Sequence, residues 1–162
     1  MTNSPSIKQV YQWLEEVKDP EIPVLSLVDL GVITEVEIKG DTVKIELTPT
    51  FAGCPAMDIM RNEVIEKLKN KGIQNVTATI SFRIPWSSEL ISEKGKKALK
   101  QYGLAPPPSN KIFTELEILE NAICPRCDNT HTEMKSPFGP TLCRSLYYCF
   151  DCKEAFEQFK PL

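Results

Sequence analysis

The sequence predicts an α+β protein: a small two-layer domain with α-β-β-α-β order and a mixed sheet, followed by a zinc-ribbon-like module. Helical and strand periodicities alternate over residues 4–82. Three consecutive prolines, Pro106–Pro108, then interrupt the chain. Two Cys-x-x-Cys pairs follow, about twenty residues apart, which is the spacing of a zinc ribbon. We therefore predict a domain over 1–104, a Pro-rich linker over 105–111 and a four-cysteine module over 112–162.

The first predicted element is a helix that begins at Ser4-Pro5, with Ser4 as N-cap and Pro5 in the first helical position. Pro20 should end this helix, because a proline moves the residue before it out of the α region. The loop Asp19–Pro23 that follows carries two carboxylates, which turn chemistry explains without a reaction. Apolar residues recur at helical spacing along this helix and should form one buried face. They are Ile7, Val10, Tyr11, Leu14 and Val17.

A hairpin is the next predicted unit. A short helical turn over 25–30 closes at Gly31, and residues 32–38 suit a strand. Gly40-Asp41 marks a turn, after which Val43, Ile45 and Leu47 alternate with polar residues. The two strands should pair antiparallel.

A second helix and a third strand complete the first domain. Met57, Met60, Val64 and Leu68 share one helical face, so the methionines are interpreted as core residues. The third strand lies within 73–82 and, if parallel to the second, requires a right-handed crossover. A basic helix is then predicted over 88–102.

A lone cysteine, Cys54, lies between the second strand and the second helix. Gly53 permits a sharp turn and Pro55 suits the first helical position, so Cys54 should lie at or next to the N-cap. The positive end of a helix dipole favours a thiolate there, which is a nucleophile or a metal ligand. A small buried residue in a tight turn is the alternative. Both interpretations stay open, because a sequence does not show exposure.

The strongest local signal is the set Cys124, Cys127, Cys149 and Cys152. Two such knuckles complete a tetrahedral zinc site, and an iron–sulfur cluster, which also takes four thiolates, is the alternative. Cys143 exceeds the four that are needed: it is a spare core residue, an alternative ligand or a sign of a cluster. The single histidine is interpreted as an ordinary loop residue.

Composition limits the partners. There is no signal-peptide pattern and no apolar run of about 20 residues, so we expect a cytoplasmic protein with reduced thiols and no membrane partner. Asp and Glu balance Lys and Arg over 1–111, so the acidic excess lies in 112–162. Nucleic-acid ribbons need clustered Lys and Arg for phosphate contacts. A protein partner is therefore favoured over nucleic acid.

Several motifs together resemble known families. Asp19-Pro20-Glu21-Ile22-Pro23, Asp29-Leu30-Gly31, Thr48-Pro49-Thr50 and Gly53-Cys54-Pro55 resemble the iron–sulfur-assembly domain. The C-terminal motifs resemble those of the PaaD-type family of phenylacetate degradation, and they are Cys124–Cys127, Phe138–Cys143 and Cys149–Cys152. The similarity covers nearly the whole chain.

The resemblance implies an accessory or maturation factor for a phenylacetyl-CoA ring epoxidase, assisting iron or iron–sulfur centre assembly. It implies that Cys54 is the reactive cysteine, with Asp19, Glu21 and Thr50 at flanking motif positions. The four knuckle cysteines would hold the resident metal, and Cys143 is a further family cysteine. Expected partners are components of the epoxidase complex or other metalloprotein clients. A homodimer is a further expectation, since one thiol per chain holds a cluster poorly.

Two other function classes compete with this one. A non-catalytic structural subunit of the oxygenase is the first, and a zinc-ribbon nucleic-acid or transcription adaptor is the second. The sequence has no nucleotide-binding glycine pattern, no Ser/His pair and no di-iron carboxylate–histidine set. We therefore expect no catalytic activity from the chain alone.

Overall fold

The computed structural model describes residues 4–108 and 122–161, and these residues form two compact units. The first unit comprises residues 4–86 and 90–92, and the second comprises residues 87–89 together with the described residues from 93 onward. Among the described helices, none combines the length and apolar character needed to cross a bilayer.

The first unit is built from helices and a three-stranded sheet whose order along the chain matches the predicted one. Helices α1 and α3 contact each other and the sheet, which gives two layers with the core between them. The elements are α1 (Ile7–Leu14), α2 (Leu27–Leu30), β1 (Ile33–Lys39), β2 (Thr42–Leu47), α3 (Met57–Asn70) and β3 (Asn75–Ile80).

The predicted mixed sheet is confirmed. β1 pairs antiparallel with β2, and β2 pairs parallel with β3, in the order β1-β2-β3. Gly40, with φ of +57°, turns the chain between the first two strands. The buried face of α3 is the predicted one, formed by Met57, Met60, Val64 and Leu68. The rim beyond the carboxyl ends of β2 and β3 is therefore where the Cys54 loop begins.

The helices differ from the prediction in three respects. The N-cap of α1 is Ser6 and not Ser4, because the Ser6 hydroxyl accepts a hydrogen bond from the Gln9 N–H at 3.2 Å. The helix ends at Leu14, well before Pro20. The predicted basic helix is divided into a 3-10 turn, Ser88–Leu90, and helix α4, Glu93–Tyr102.

A buried carboxylate organises the short helix α2. Asp29 accepts hydrogen bonds from the hydroxyls of Ser26 at 2.7 Å and Ser92 at 2.6 Å. Gly31 ends the helix with φ of +75°, as predicted for a left-handed C-terminal glycine. A Cβ at this glycine would lie 2.5 Å from the Cβ of Leu90. Only glycine therefore allows the segment around Leu90 to pack against α2.

The second unit contains α4 and a four-stranded sheet of order β4-β7-β6-β5. Its strands are β4 (Leu104–Ala105), β5 (Thr132–Ser136), β6 (Arg144–Cys149) and β7 (Ala155–Phe159). β4 pairs parallel with β7, whereas the other two pairings are antiparallel. This division differs from the boundary predicted at residue 104, since α4 and β4 belong to the second unit. Of the predicted linker 105–111, Ala105 lies in β4 and residues 109–111 lie outside the described residues.

Candidate metal centre and the Cys54 loop

The four knuckle cysteines lie on two turns with the same backbone geometry. In each turn the N–H of the first cysteine donates to a carbonyl five residues later: Cys124 to Asn129 at 3.0 Å, and Cys149 to Glu154 at 2.9 Å. The residue after each second cysteine is left-handed, with φ of 60° at Asp128 and 59° at Lys153. The two turns therefore present their thiols in the same way.

The four thiols meet at one point, as the spacing predicted. All four sulfurs lie within 4.8 Å of one another. The Sγ–Sγ distance is 3.7 Å between Cys124 and Cys152, and 3.5 Å between Cys127 and Cys149. Metal–sulfur bonds of about 2.3 Å in a tetrahedron place sulfurs about 3.8 Å apart. The donor set therefore fits one tetrahedral metal ion, held by these four residues.

The apolar core of the second unit is continuous with this cluster. Cys124 and Cys149 are fully buried and pack with Tyr147 and Phe156. Cys127 and Cys152 pack against the same core from its partly exposed side. The four cysteines thus connect the two knuckles to the sheet. If they no longer came together, that side of the apolar core would be exposed.

The environment shifts the pKa values of Cys127, Cys149 and Cys152 in different directions. A hydrogen bond from the backbone N–H of Cys152 lowers the pKa of Cys149 to about 7, and one from Asp151 adds to it. Burial, with the neighbouring Cys124 thiol, raises the pKa of Cys152 to about 12. The pKa of Cys127 is also raised: the backbone N–H of Asn129 lowers it, but burial and the adjacent thiols outweigh that effect. Metal ligation by four thiolates must therefore displace protons.

We expect the metal affinity to fall on acidification. Cys152 carries its proton throughout the neutral range, so each pH unit weakens apparent binding about tenfold for every such proton displaced. Below a pH of about 7, Cys149 is protonated as well, and the dependence should steepen by one further proton. Competition with a chromophoric chelator across this range measures the slope. An affinity independent of pH would contradict ligation by thiolates.

Cys143 lies outside the cluster. It immediately precedes β6, whereas Cys149 ends that strand, so six residues of extended chain, about 20 Å, separate them. The Cys143 thiol lies 3.0 Å from the Thr141 hydroxyl, and its side chain is buried. Of the three interpretations of Cys143, the spare core residue fits the structure. His131 is also outside the cluster, and its ring lies 5.0 Å from that of Phe150.

Cys54 lies on the loop that joins β2 to α3, and it is half-buried. The predicted turn is confirmed: Gly53 has φ of +83°, and the Cys54 N–H donates to the Phe51 carbonyl at 3.3 Å. The prediction that Cys54 lies at or next to the N-cap is wrong by one residue. The N-cap of α3 is Ala56, which makes no side-chain capping bond. Proline tolerates the position before a cap as well as the first helical turn, so Pro55 did not fix the helix start.

The three flanking positions occupy two loops. Asp19 follows α1, and its Oδ1 accepts hydrogen bonds from the backbone N–H groups of Glu21 at 2.8 Å and Ile22 at 2.9 Å. This is the turn chemistry expected for Asp19, and it brings Asp19 and Glu21 together. Thr50 is half-buried on the loop that also holds Cys54.

One polar residue of the Cys54 loop was named from the sequence only as part of the motif Thr48-Pro49-Thr50 and was given no role. Thr48 is buried, and its hydroxyl donates to the Ile84 carbonyl at 2.8 Å. This bond ties the start of the loop to the chain that leaves β3. A threonine directly after a strand of alternating apolar residues, and before a proline, was the available signal.

Two family models match the chain. The model described as an iron–sulfur cluster assembly protein matches residues 7–80, and the PaaD zinc beta ribbon domain matches residues 108–160. Each match falls on the corresponding part of the chain: the first on the α/β unit with the Cys54 loop, the second on the knuckles.

Two curated proteins are similar to the chain. A protein of Escherichia coli (strain K12), named as one of the subunits of 1,2-phenylacetyl-CoA epoxidase, is 33% identical over 156 residues, covering 96% of this chain and 93% of its own length. A protein of Porphyromonas gingivalis named Fe-S protein maturation auxiliary factor is 34% identical over 89 residues, covering 54% of this chain and 84% of its own length.

Two of the solved structures that the chain resembles match over somewhat more than half of its length. A domain of unknown function from Bacillus anthracis has a TM-score of 0.54 and 28% identity, covering 57% of this chain and 89% of its own. A conserved hypothetical protein from Thermotoga maritima has a TM-score of 0.51 and 27% identity, covering 60% of this chain and 96% of its own.

Proposed function

The chain belongs to the PaaD family, and from that premise we propose that it is an accessory maturation factor for a phenylacetyl-CoA epoxidase. Cys54 binds iron or an iron–sulfur cluster transiently, and the metal-bound ribbon docks the client. The observation that carries the proposal is a half-buried thiol on the rim loop of a domain that matches an iron–sulfur cluster assembly model. The name of the Porphyromonas gingivalis relative supports the same role.

The proposed chemistry at Cys54 is ligand exchange. The iron or cluster is cargo, held by one thiolate of this chain, whereas stable clusters take four protein ligands. Transfer breaks the bond between iron and Cys54 as a bond forms between iron and a client thiolate. The proton released by the client thiol goes to the Cys54 sulfur. A single protein ligand makes that exchange easy to complete.

Two features support a docking role for the ribbon. Its surface exposes Phe138, Leu142 and Phe150. Phe138 and Leu142 lie on the same loop between β5 and β6, and neighbouring exposed apolar side chains are typical of protein contact surfaces. The acidic excess of residues 112–162 disfavours the alternative nucleic-acid role.

Zinc is the proposed ion of the ribbon. One ion fits sulfurs that lie within 4.8 Å of one another. A cluster would insert several irons and bridging sulfides between the same thiolates and hold them farther apart. Metal and acid-labile sulfide analysis of anaerobically purified protein tests this: a colourless protein with one zinc supports the proposal, and a brown protein with sulfide contradicts it.

Replacing Cys54 with serine should leave the fold intact and abolish client maturation. The side chain is half-buried and serine is of similar size, so the loop is retained while the thiolate is lost. The readouts are iron content and turnover of an epoxidase matured with the variant, against Cys143→Ser as a thiol-removal control. Full client activity with the Cys54 variant would end the proposal.

A structural subunit is the second candidate, favoured by the name of the Escherichia coli relative. The two candidates separate when purified protein is added to epoxidase that is already fully loaded with metal. A rise in turnover favours the structural role. No change in turnover, together with loss of maturation in the Cys54 variant, favours the maturation factor.

A further inference from the structure

Strand β3 is an outer strand of the first unit's sheet, and it carries no charge. Within the part of the chain that the structure describes, no further strand pairs with its outer side. Its six residues, Asn75–Ile80, contain neither proline nor a charged side chain. Outer strands of this kind present backbone N–H and C=O groups to another strand, and natural proteins usually protect them.

The opposite edge of the same sheet is protected. β1 carries Glu35, Glu37 and Lys39, and its pairing register shifts between Ile33 and Glu35. Charges and irregularities of this type prevent edge-to-edge pairing. The contrast between the two edges therefore singles out β3 as the one open to a further strand.

The apolar layer of the sheet is incomplete at β3. Val76, Ala78 and Ile80 are only half-buried. Their partners on β2 are Val43, Ile45 and Leu47, all at most 1% exposed. An added strand beside β3 would complete the burial of this layer.

We propose that β3 pairs antiparallel with β3 of a second copy of the chain, forming a six-stranded sheet across a two-fold axis. Antiparallel pairing keeps the apolar faces of both sheets on one side, which a two-fold parallel arrangement would reverse. Residues directly opposite each other share a face, and placing Ala78 on the axis is the register that pairs Val76, Ala78 and Ile80 only with one another. Val76 then faces Ile80 of the other copy, and Thr77 faces Thr79. In this register apolar residues face apolar residues and threonines face threonines. No pair of like charges lies at the interface between the two strands.

The arrangement has a consequence for Cys54. The Cys54 loop begins at the carboxyl end of β2, which runs parallel to β3. In an antiparallel dimer these ends point in opposite directions. With Ala78 on the axis, the ends of the two β2 strands lie four residues apart along the strands, about 13 Å, and three strand spacings apart across the sheet, about 14 Å, so about 20 Å separates them. Two Cys54 thiols could not share one cluster across this interface. The dimer itself does not depend on the function proposed for Cys54.

The test is a charge-reversal pair made in the full chain. T77K/T79K places two like-charged pairs directly opposite each other in the dimer, and T77E/T79E does the same with the opposite sign. Both positions are exposed, so each variant should fold. We expect a wild-type dimer by sedimentation, with dimer affinity weakened at least about tenfold in each variant. An equimolar mixture of the two variants should restore the dimer, because each lysine then faces a glutamate.

Thr42→Lys is the control for an added positive charge away from the proposed interface, since it places one lysine on the central strand, on the same face as Thr77 and Thr79. It should leave the dimer unchanged. A wild-type chain that is monomeric, a lysine variant that dimerises like the wild type, or a mixture that stays monomeric would each overturn the proposed pairing. Circular dichroism of every variant distinguishes loss of pairing from loss of fold.

Discussion

Replacing Cys149 with serine should remove the ion from the second unit and unfold that unit. Cys149 is fully buried, lies 3.5 Å from Cys127 and packs in the core with Tyr147 and Phe156. The three remaining thiols leave the fourth position of the tetrahedron without a thiolate, which weakens metal binding. Structural zinc contributes about 10–16 kcal/mol of apparent binding free energy, more than a small module retains from its core alone.

The measurement combines metal content with thermal unfolding followed by circular dichroism. The variant should lose about one ion per chain and the transition of the second unit, while the transition of the first unit persists. Removing the ion from wild-type protein with a strong chelator should give the same result. Cys143→Ser is the matched control, because this buried thiol lies at the opposite end of β6. Metal loss in that control, or a stable metal-free Cys149 variant, would contradict the assignment.

Replacing Gly31 with alanine should destabilise the first unit by about 2–4 kcal/mol. Roughly 1 kcal/mol comes from holding a residue with a Cβ in the left-handed region, and about 1–3 kcal/mol from overpacking. The new Cβ would lie 2.5 Å from the Leu90 Cβ and 2.6 Å from its carbonyl oxygen. The backbone of the 3-10 turn must then move. Urea unfolding of the full chain measures the decrease in the free energy of unfolding.

Gly40→Ala provides the control that isolates the clash. Gly40 also has positive φ, at +57°, but no atom lies within 4 Å of its ideal Cβ. Only the backbone strain of about 1 kcal/mol should appear there. If the two alanine variants lost the same free energy of unfolding, the clash with Leu90 would contribute nothing to the destabilisation.

Local patterns predicted much of the first unit. Alternation in β2, the four-residue apolar face of α3 and the glycine turns at Gly31 and Gly53 all depend on neighbours close in sequence. The two knuckles could also be predicted from the sequence, because each is defined by two cysteines three positions apart. The meeting of the two knuckles followed from metal chemistry, which requires four ligands at one point.

The remaining features depend on contacts that a local pattern does not carry. β4 has only two residues, and its parallel pairing with β7 joins positions more than fifty residues apart in sequence. Ser6 caps α1 in place of the predicted Ser4, because both serines precede the same apolar repeat and the local pattern does not fix which of them starts the helix. Pro55 is compatible with a position before the N-cap as well as with the first helical turn. The helix start was therefore predicted too early, and Cys54 was placed too close to the N-cap of α3. The exposure of Cys54 also depends on how the loop packs, so the sequence alone could not predict it.

Asp128 and Lys153 have a consequence for how the ribbon acquires its ion. Both take the left-handed backbone at the same point of their knuckles, although neither is glycine. Such residues cost roughly 1–2 kcal/mol each. In a freshly synthesised chain only the backbone hydrogen bonds of each turn offset that cost before coordination begins, so we expect the turns to open readily. The ion would then be captured by a chain that closes around it, and the nascent module would stay vulnerable to proteases until metal arrives.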